Sequence, residues 1–396
     1  IDMNIDIFRL VYLFLIIFTS CSKTIPNLEL NNGDSRYEKL EKVDQWLLDL
    51  SMKKKFNGAI LISRHGEIDL MKTYGFSDLD RTKPLTYQSS FRLASVSKQF
   101  TAMAVMILKD KGQLDFDDAV NLYLKTFPYE DVTIRHLLTH TSGIPDYENL
   151  VLNYKNKSST KYFFKTGQSK ENITYSGIPS MYKNLYDILS MKDVLELVVQ
   201  YSDKKKFRTG EKFSYSNTGY VLLAYLVEQI SGETFENFMD KEIFRPLEME
   251  NSSVWNLNTQ PRKLNDRVQG TNKGRLNDYT WMDGIAGDGA VFVSIEDFIK
   301  WDRSLSNCSL ISKATCEEGV NPFVTLDGDT SYYGFGWILS NESSSMDHAG
   351  GWVGASTYIY RNPDNGLLFV ILDSSTNKNM RKIRESILDL IENDYF

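Results

Sequence analysis

Phe56-Asn57-Gly58-Ala59-Ile60-Leu61-Ile62-Ser63 is the stretch on which the fold turns, because it reads as a strand that opens a hairpin. Arg64-His65-Gly66-Glu67 makes the turn, and Ile68 to Gly75 returns as a second strand. The far end of the chain mirrors it. Ser356 to Tyr360 and Leu367 to Asp373 are β-rich runs around the turn Asn362-Pro363-Asp364-Asn365-Gly366. Tyr37 to Met52 precedes the first hairpin with apolar residues at Leu40, Val43, Trp46, Leu47 and Leu50, a spacing of three and four that predicts a helix. Residues 378 to 394 close the chain with another amphipathic helix. Between the two ends the patterns are mostly helical, as at Phe100 to Lys111, Met191 to Tyr201 and Gly219 to Ser231. The expected fold is therefore α/β of the α+β kind. An antiparallel sheet is built from both chain ends and flanked by N- and C-terminal helices, with a large, mainly helical block inserted.

Composition narrows the function classes. The 396 residues are 42% hydrophobic and 24% charged, enough apolar material for a sizeable core without metals or disulfides. Forty-five basic residues against 52 acidic give a net charge of −7, which argues against a nucleic-acid partner. Three cysteines exclude a disulfide-rich scaffold and a cysteine-based zinc ribbon.

The first twenty residues differ in kind. Leu10 to Phe18 is an apolar run preceded by Arg9 and followed by Thr19-Ser20-Cys21. Such a run is too short to cross a bilayer as a helix and has the length of a signal-peptide core. Phe18-Thr19-Ser20-Cys21 resembles a bacterial lipobox, which implies export and lipidation of Cys21; a plain cleaved signal is the alternative. Cys308 and Cys316 then remain, eight apart, as a short-loop disulfide or as two separate thiols. Residues 151–190 carry six lysines against one Glu and one Asp. They read as a surface insertion, either a solvated loop or a lid over a substrate.

Three short motifs carry chemistry. In Ser95-Val96-Ser97-Lys98, at the head of a helix, hydroxyl and amine share a face, so the amine can help deprotonate the serine. The spacing alone says little, since S-x-x-K occurs seven times in the chain; only Ser95 combines a helix entry with an apolar helical run behind it. Tyr215-Ser216-Asn217 offers a phenol that can relay a proton and an amide that can hold the lysine or a substrate. In His348-Ala349-Gly350-Gly351 the glycines let backbone approach a ligand, and the Gly351 amide can pair with that of Ser95 as an oxyanion hole. His136 and His140, at i and i+4, could hold zinc, but no Glu follows His136 and no third ligand suggests itself. Tyr147 and Trp352 either line the cleft or pack in the core.

Taken in order, S-x-x-K, Tyr-x-Asn and a basic residue before x-Gly-Gly resemble the serine β-lactamase and penicillin-binding-protein superfamily. The Tyr-x-Asn and His-x-Gly forms are similar to its class C branch, which also holds esterases and D-amino-acid peptidases. Phe91 to Ala102, Thr133 to Pro145, Phe213 to Tyr220 and Tyr333 to Trp337 resemble hallmark blocks of that branch. The resemblance implies a β-lactamase/transpeptidase-like fold and acyl transfer through a covalent serine, with no cofactor and no metal. Ser95 would be the nucleophile, and Lys98 and Tyr215 would share the general-base role. Asn217, His348, Gly350 and Gly351 would bind substrate. His348 stands where the β-lactamases and peptidases usually carry lysine, which weakens the case for efficient β-lactam hydrolysis and leaves room for an esterase or peptidase. The division implied is a signal peptide at 1–20, a polar tether at 21–39 and one catalytic domain at 40–396. Its partner would be a small-molecule or short-peptide substrate. Membrane contact would come through the lipid anchor only, facing the periplasm or cell exterior, and the oligomeric state is left open. The reading from another class is a homologue that binds cell-wall peptide or penicillin without turning it over.

Overall fold

The computed structural model describes residues 25–31, 33–155, 188–259 and 264–393. Its main sheet has six antiparallel strands in the spatial order Ile338–Leu339, Met346–Trp352, Ala355–Asn362, Leu367–Asp373, Gly58–Arg64 and Glu67–Tyr74. The two chain ends meet in its middle, where Ile60 pairs with Ile371 and Leu61 with Val370. Both central strands are buried almost throughout because each face is covered. Side chains alternate along a strand. Ile60 and Ile62 therefore face the helices Arg36–Met52 and Met380–Asn393, with Val43, Leu47, Ile383 and Ile387. Ala59 and Leu61 face the other way, toward Phe91, Leu93, Val96 and Phe100 in the inserted block.

The insertion is mixed rather than purely helical. A three-stranded sheet of Ser90–Arg92, Val291–Ser294 and Ser253–Val254 runs through it, beside the helices Lys98–Asp110, Met191–Gln200 and Asn217–Ser231. These strands are two to four residues long, too short for periodicity to reveal. The first helix starts at Arg36 on a Ser35–Glu38 capping box. The polar stretch before it is not loose over its described part. Ile25 is buried among the terminal helices, Trp46 Nε1 donates to the Pro26 carbonyl at 3.3 Å, and Lys382 Nζ donates to that of Ile25 at 2.9 Å.

Cys308 and Cys316 form a disulfide, with Cα atoms 6.1 Å apart. It ties the left-handed residue that ends helix Asp297–Asn307 to helix Lys313–Gly319. The signal segment and Cys21 lie outside the described residues, as does most of 151–190. Among the described residues no helix is long and apolar enough to cross a membrane.

Candidate active site

Ser95 sits in a tight turn, Ala94–Ser97, between strand Ser90–Arg92 and helix Lys98–Asp110. Ala94 adopts φ = 51°, a left-handed conformation that costs a β-carbon-bearing residue about 1 kcal/mol or more. Surrounding structure holds the strained turn in place. Thr357 Oγ1 donates to the Leu93 carbonyl at 2.6 Å, and the backbone N–H of Val291 donates to Ser97 Oγ at 3.2 Å. Every residue from Lys98 to Leu108 is buried, so the helix carries Lys98 inward with no exposed surface.

A buried ammonium must spend its protons on acceptors. Lys98 Nζ lies 2.9 Å from Asn217 Oδ1, 2.8 Å from the Asp288 carbonyl and 3.2 Å from Ser95 Oγ. Two of these partners can only accept. When the amine is neutral, its two protons are committed to them and its lone pair is left facing the serine hydroxyl. Asn217 arrives at the head of helix Asn217–Ser231, and Tyr215 just before it places its ring centroid 4.9 Å from Lys98 Nζ. The Tyr215 hydroxyl is buried and has no hydrogen-bond partner among the described residues.

His140 holds this segment. Its carbonyl accepts from Ser214 N–H at 2.8 Å and its Nδ1 from Ser216 N–H at 3.1 Å, so both neighbours of Tyr215 are pinned. The imidazole also lies on the Tyr215 ring, centroids 4.3 Å apart. Burial drives its pKa well below the ordinary value and keeps it neutral. His136 does a separate job, its Nδ1 accepting the Thr133 N–H at 3.1 Å to cap its own short helix.

Strand Met346–Trp352 closes the opposite side. A β-carbon at Gly350 would lie 2.3 Å from both the Leu93 carbonyl and Thr357 Oγ1, so only glycine lets the strand approach the nucleophile turn this closely. A β-carbon at Gly351 would meet nothing within 4 Å. Gly350→Ala is therefore expected to cost about 1–3 kcal/mol of stability as an overpacked contact. Gly351→Ala should melt within a degree or two of the parent in a thermal scan.

His348 is buried. Its Nδ1 lies 2.8 Å from the Ala349 carbonyl, which can only accept, so Nδ1 carries the proton and Nε2 accepts from the Tyr333 hydroxyl at 3.0 Å. Burial, then the Lys98 charge, lowers its pKa to about 3, so it carries no positive charge at neutral pH. Residue 348 supplies no cation for a substrate carboxylate.

Three carboxyl groups sit around Lys98 and Asn217 that no sequence motif singles out. Asp146 Oδ2 accepts the Asn217 N–H at 3.1 Å, and Glu148 Oε1 accepts from Asn217 Nδ2 at 2.9 Å. Asp288 Oδ2 accepts from the Tyr147 hydroxyl at 3.0 Å. Burial raises the pKa of Glu148, and that of Asp288 to about 6. Tyr147 is thus a fully buried support under the site, whereas Trp352 is only half-buried at its strand end. Asp288 carried a usable signal, being set among Gly284, Gly287 and Gly289. Asp146 and Glu148 directly follow the Thr133 to Pro145 block, but their convergence depends on a helix that begins about seventy residues later.

Residues 43–392 match the family model described as Beta-lactamase. The chain is 32% identical over 363 residues to penicillin-binding protein 4* of Bacillus subtilis (strain 168), covering 88% of this chain and 74% of that one. Among solved structures it is similar to a penicillin binding protein from Bacillus halodurans. The TM-score there is 0.68 and the identity 26%, over 87% of this chain and 98% of the other. The D-amino acid amidase from Ochrobactrum anthropi SV3 shares the fold with a TM-score of 0.66 at 19% identity, over 90% and 99% of the two chains.

Proposed function

We propose that this chain, which belongs to the β-lactamase family, is a serine hydrolase that works by acyl transfer through a covalent acyl-Ser95 intermediate. The observation that carries the proposal is the Lys98 amine, hydrogen-bonded to Ser95 and fixed by Asn217 Oδ1 and the Asp288 carbonyl. In the forward step Ser95 Oγ attacks the scissile carbonyl while its proton passes to the Lys98–Tyr215 pair. The backbone N–H groups of Ser95 and Gly351 would receive the oxyanion. The proton then goes to the leaving group as the carbonyl–leaving-group bond breaks. Water, deprotonated by the same pair, releases the acid and restores Ser95.

The substrate would be a peptide, an amide or an ester rather than a molecule held by its carboxylate, because His348 is neutral in this site. Names among the similar proteins fit that range, from penicillin-binding protein to D-amino acid amidase. Export with lipidation at Cys21 belongs to the same proposal.

The test is covalent. Incubation with a fluorophosphonate, which loses fluoride as its phosphorus bonds to Oγ, should add the reagent mass less HF to the peptide that contains Ser95. A fluorescent penicillin, whose ring opens with no group lost, should add its whole mass. With a hydrolysable substrate the acyl mass should appear and then decay. Absence of any adduct at Ser95 would favour a binding protein that does not turn its ligand over.

A further inference from the structure

We infer that the molecule docks on an anionic bilayer surface through the end that carries Lys53, Lys54, Lys55 and Lys378, which sets the Ser95 cleft beside the lipid headgroups. Bilayer contact is then not left to a lipid anchor alone. The orientation rests in part on the proposed lipidation of Cys21; the charged surface does not.

Two helix ends build the patch. Helix Arg36–Met52 stops at Lys53, and Asn377, just before helix Met380–Asn393, donates from Nδ2 to the Lys55 carbonyl at 2.9 Å. Lys53, Lys54 and Lys378 are exposed, and none of the four lysines has an ion-pair partner among the described residues. The carboxyl groups on the same segments are otherwise engaged. Glu385 pairs with Arg381 at 2.8 Å, Asp373 is buried and accepts from Asn377, and Asp49 accepts from Gln45. Unpaired positive charge gathered at one end of a chain of net charge −7 suits an anionic partner. Leu48 and Met52, 42% and 66% exposed, stand one turn apart on one helix face and add apolar groups that a bilayer interface can take up. The chain's own path favours a bilayer over a soluble polyanion. Ile25 is seated at the head of the last helix, its carbonyl held by Lys382, and Cys21 lies four positions before it. Four residues span about 14 Å at most, so a lipid on Cys21 would hold this end against the membrane. Strand register then places the cleft. Gly351 is opposite Ser356, Ser356 opposite Asp373, and Asp373 opposite Gly58, while Asn377 N–H donates to Ser356 Oγ at 2.9 Å. The strand that offers Gly351 to the cleft thus ends on the same edge of the molecule as the lysines, three strands or about 15 Å away.

Charge and orientation are read separately, in the full chain carrying Cys21→Ser so that no lipid is attached. Flotation compares vesicles of phosphatidylcholine alone with vesicles holding about 30% phosphatidylglycerol, an anionic lipid. The apolar run at residues 10–18 is common to every arm. The anionic vesicles should be preferred about 10²-fold or more, at about fivefold per lysine. Sodium chloride at about 0.5 M should remove most of that preference. Replacing Lys53, Lys54, Lys55 and Lys378 together by Gln should erase it, whereas Lys192, Lys241 and Lys313 replaced by Gln, on other helices, should leave it intact. A fluorophore on Thr376→Cys, beside the patch, should be quenched by a headgroup-labelled lipid. One on Asp364→Cys, in the turn at the opposite end of the sheet, should not. A thermal melt of each variant reports that it is folded. Equal partition onto the two vesicle types, a preference that survives the four substitutions, or quenching at Asp364 rather than Thr376 would overturn the inference. So would binding of inorganic polyphosphate with no binding of vesicles, which would give the patch to a soluble polyanion. If the exported parent carries no lipid mass at Cys21 while the vesicle preference holds, the lipidation reading fails and the docking surface stands.

Discussion

Ser95→Ala should lose all covalent labelling and all acyl transfer while folding like the parent. The hydroxyl is the only group that the proposed chemistry phosphonylates or acylates, so no residual adduct is expected on that peptide. Stability should barely move. Ser95 is half-buried, and the substitution removes one hydrogen bond with Lys98, whose amine keeps Asn217 Oδ1 and the Asp288 carbonyl. Such a change is worth about 1 kcal/mol or less. The left-handed Ala94 and its supports at Leu93 and Ser97 are untouched by the substitution. Intact-mass spectrometry and a thermal melt decide the matter together. Turnover above the uncatalysed rate in a well-folded Ser95→Ala protein would sink the acyl-enzyme mechanism.

Tyr215→Phe should separate rate from stability in the opposite sense to an ordinary core mutation. Among the described residues the buried Tyr215 hydroxyl has no hydrogen-bond partner, and a buried hydroxyl left unpaired costs about 1–3 kcal/mol. Phenylalanine keeps the ring that lies against His140 and beside Lys98 and removes the unpaired oxygen. The melting temperature should therefore hold or rise. Acylation, read as the rate at which fluorescent penicillin or an ester acylates the protein, should fall about 10²-fold or more, the scale of general-base catalysis. A rate equal to the parent's would assign proton removal to Lys98 alone. A lowered melting temperature would instead mean that the hydroxyl has a structural partner.

The outline of the fold was legible because it is written in local pattern. Apolar runs near residues 60 and 370, and helices repeating every three to four residues at both ends, place a two-sided sheet between two helices. The nucleophile turn was legible for a related reason: Ser95 and Lys98 are neighbours in sequence, and one helical entry brings them together. The short strands at 253–254 and 291–294 were not legible, since two to four residues carry no usable period. Nor was the seating of Ile25, which with Leu28 and Leu30 falls in a short stretch broken by Pro26 and polar residues.

Local order along the chain thus determined the sheet, its flanking helices, the serine–lysine pair and the three motifs. Tertiary structure alone decided what those motifs do to one another. It made His348 neutral by burying it under Tyr333, turned His140 into a clamp on Tyr215, set Asp146 and Glu148 on Asn217, and brought the Asp288 carbonyl to Lys98. The physical reason is that charge state and hydrogen-bond partner depend on what surrounds a group in space. For these residues the surroundings come from segments as far apart as Lys98 and His348, about 250 positions along the chain.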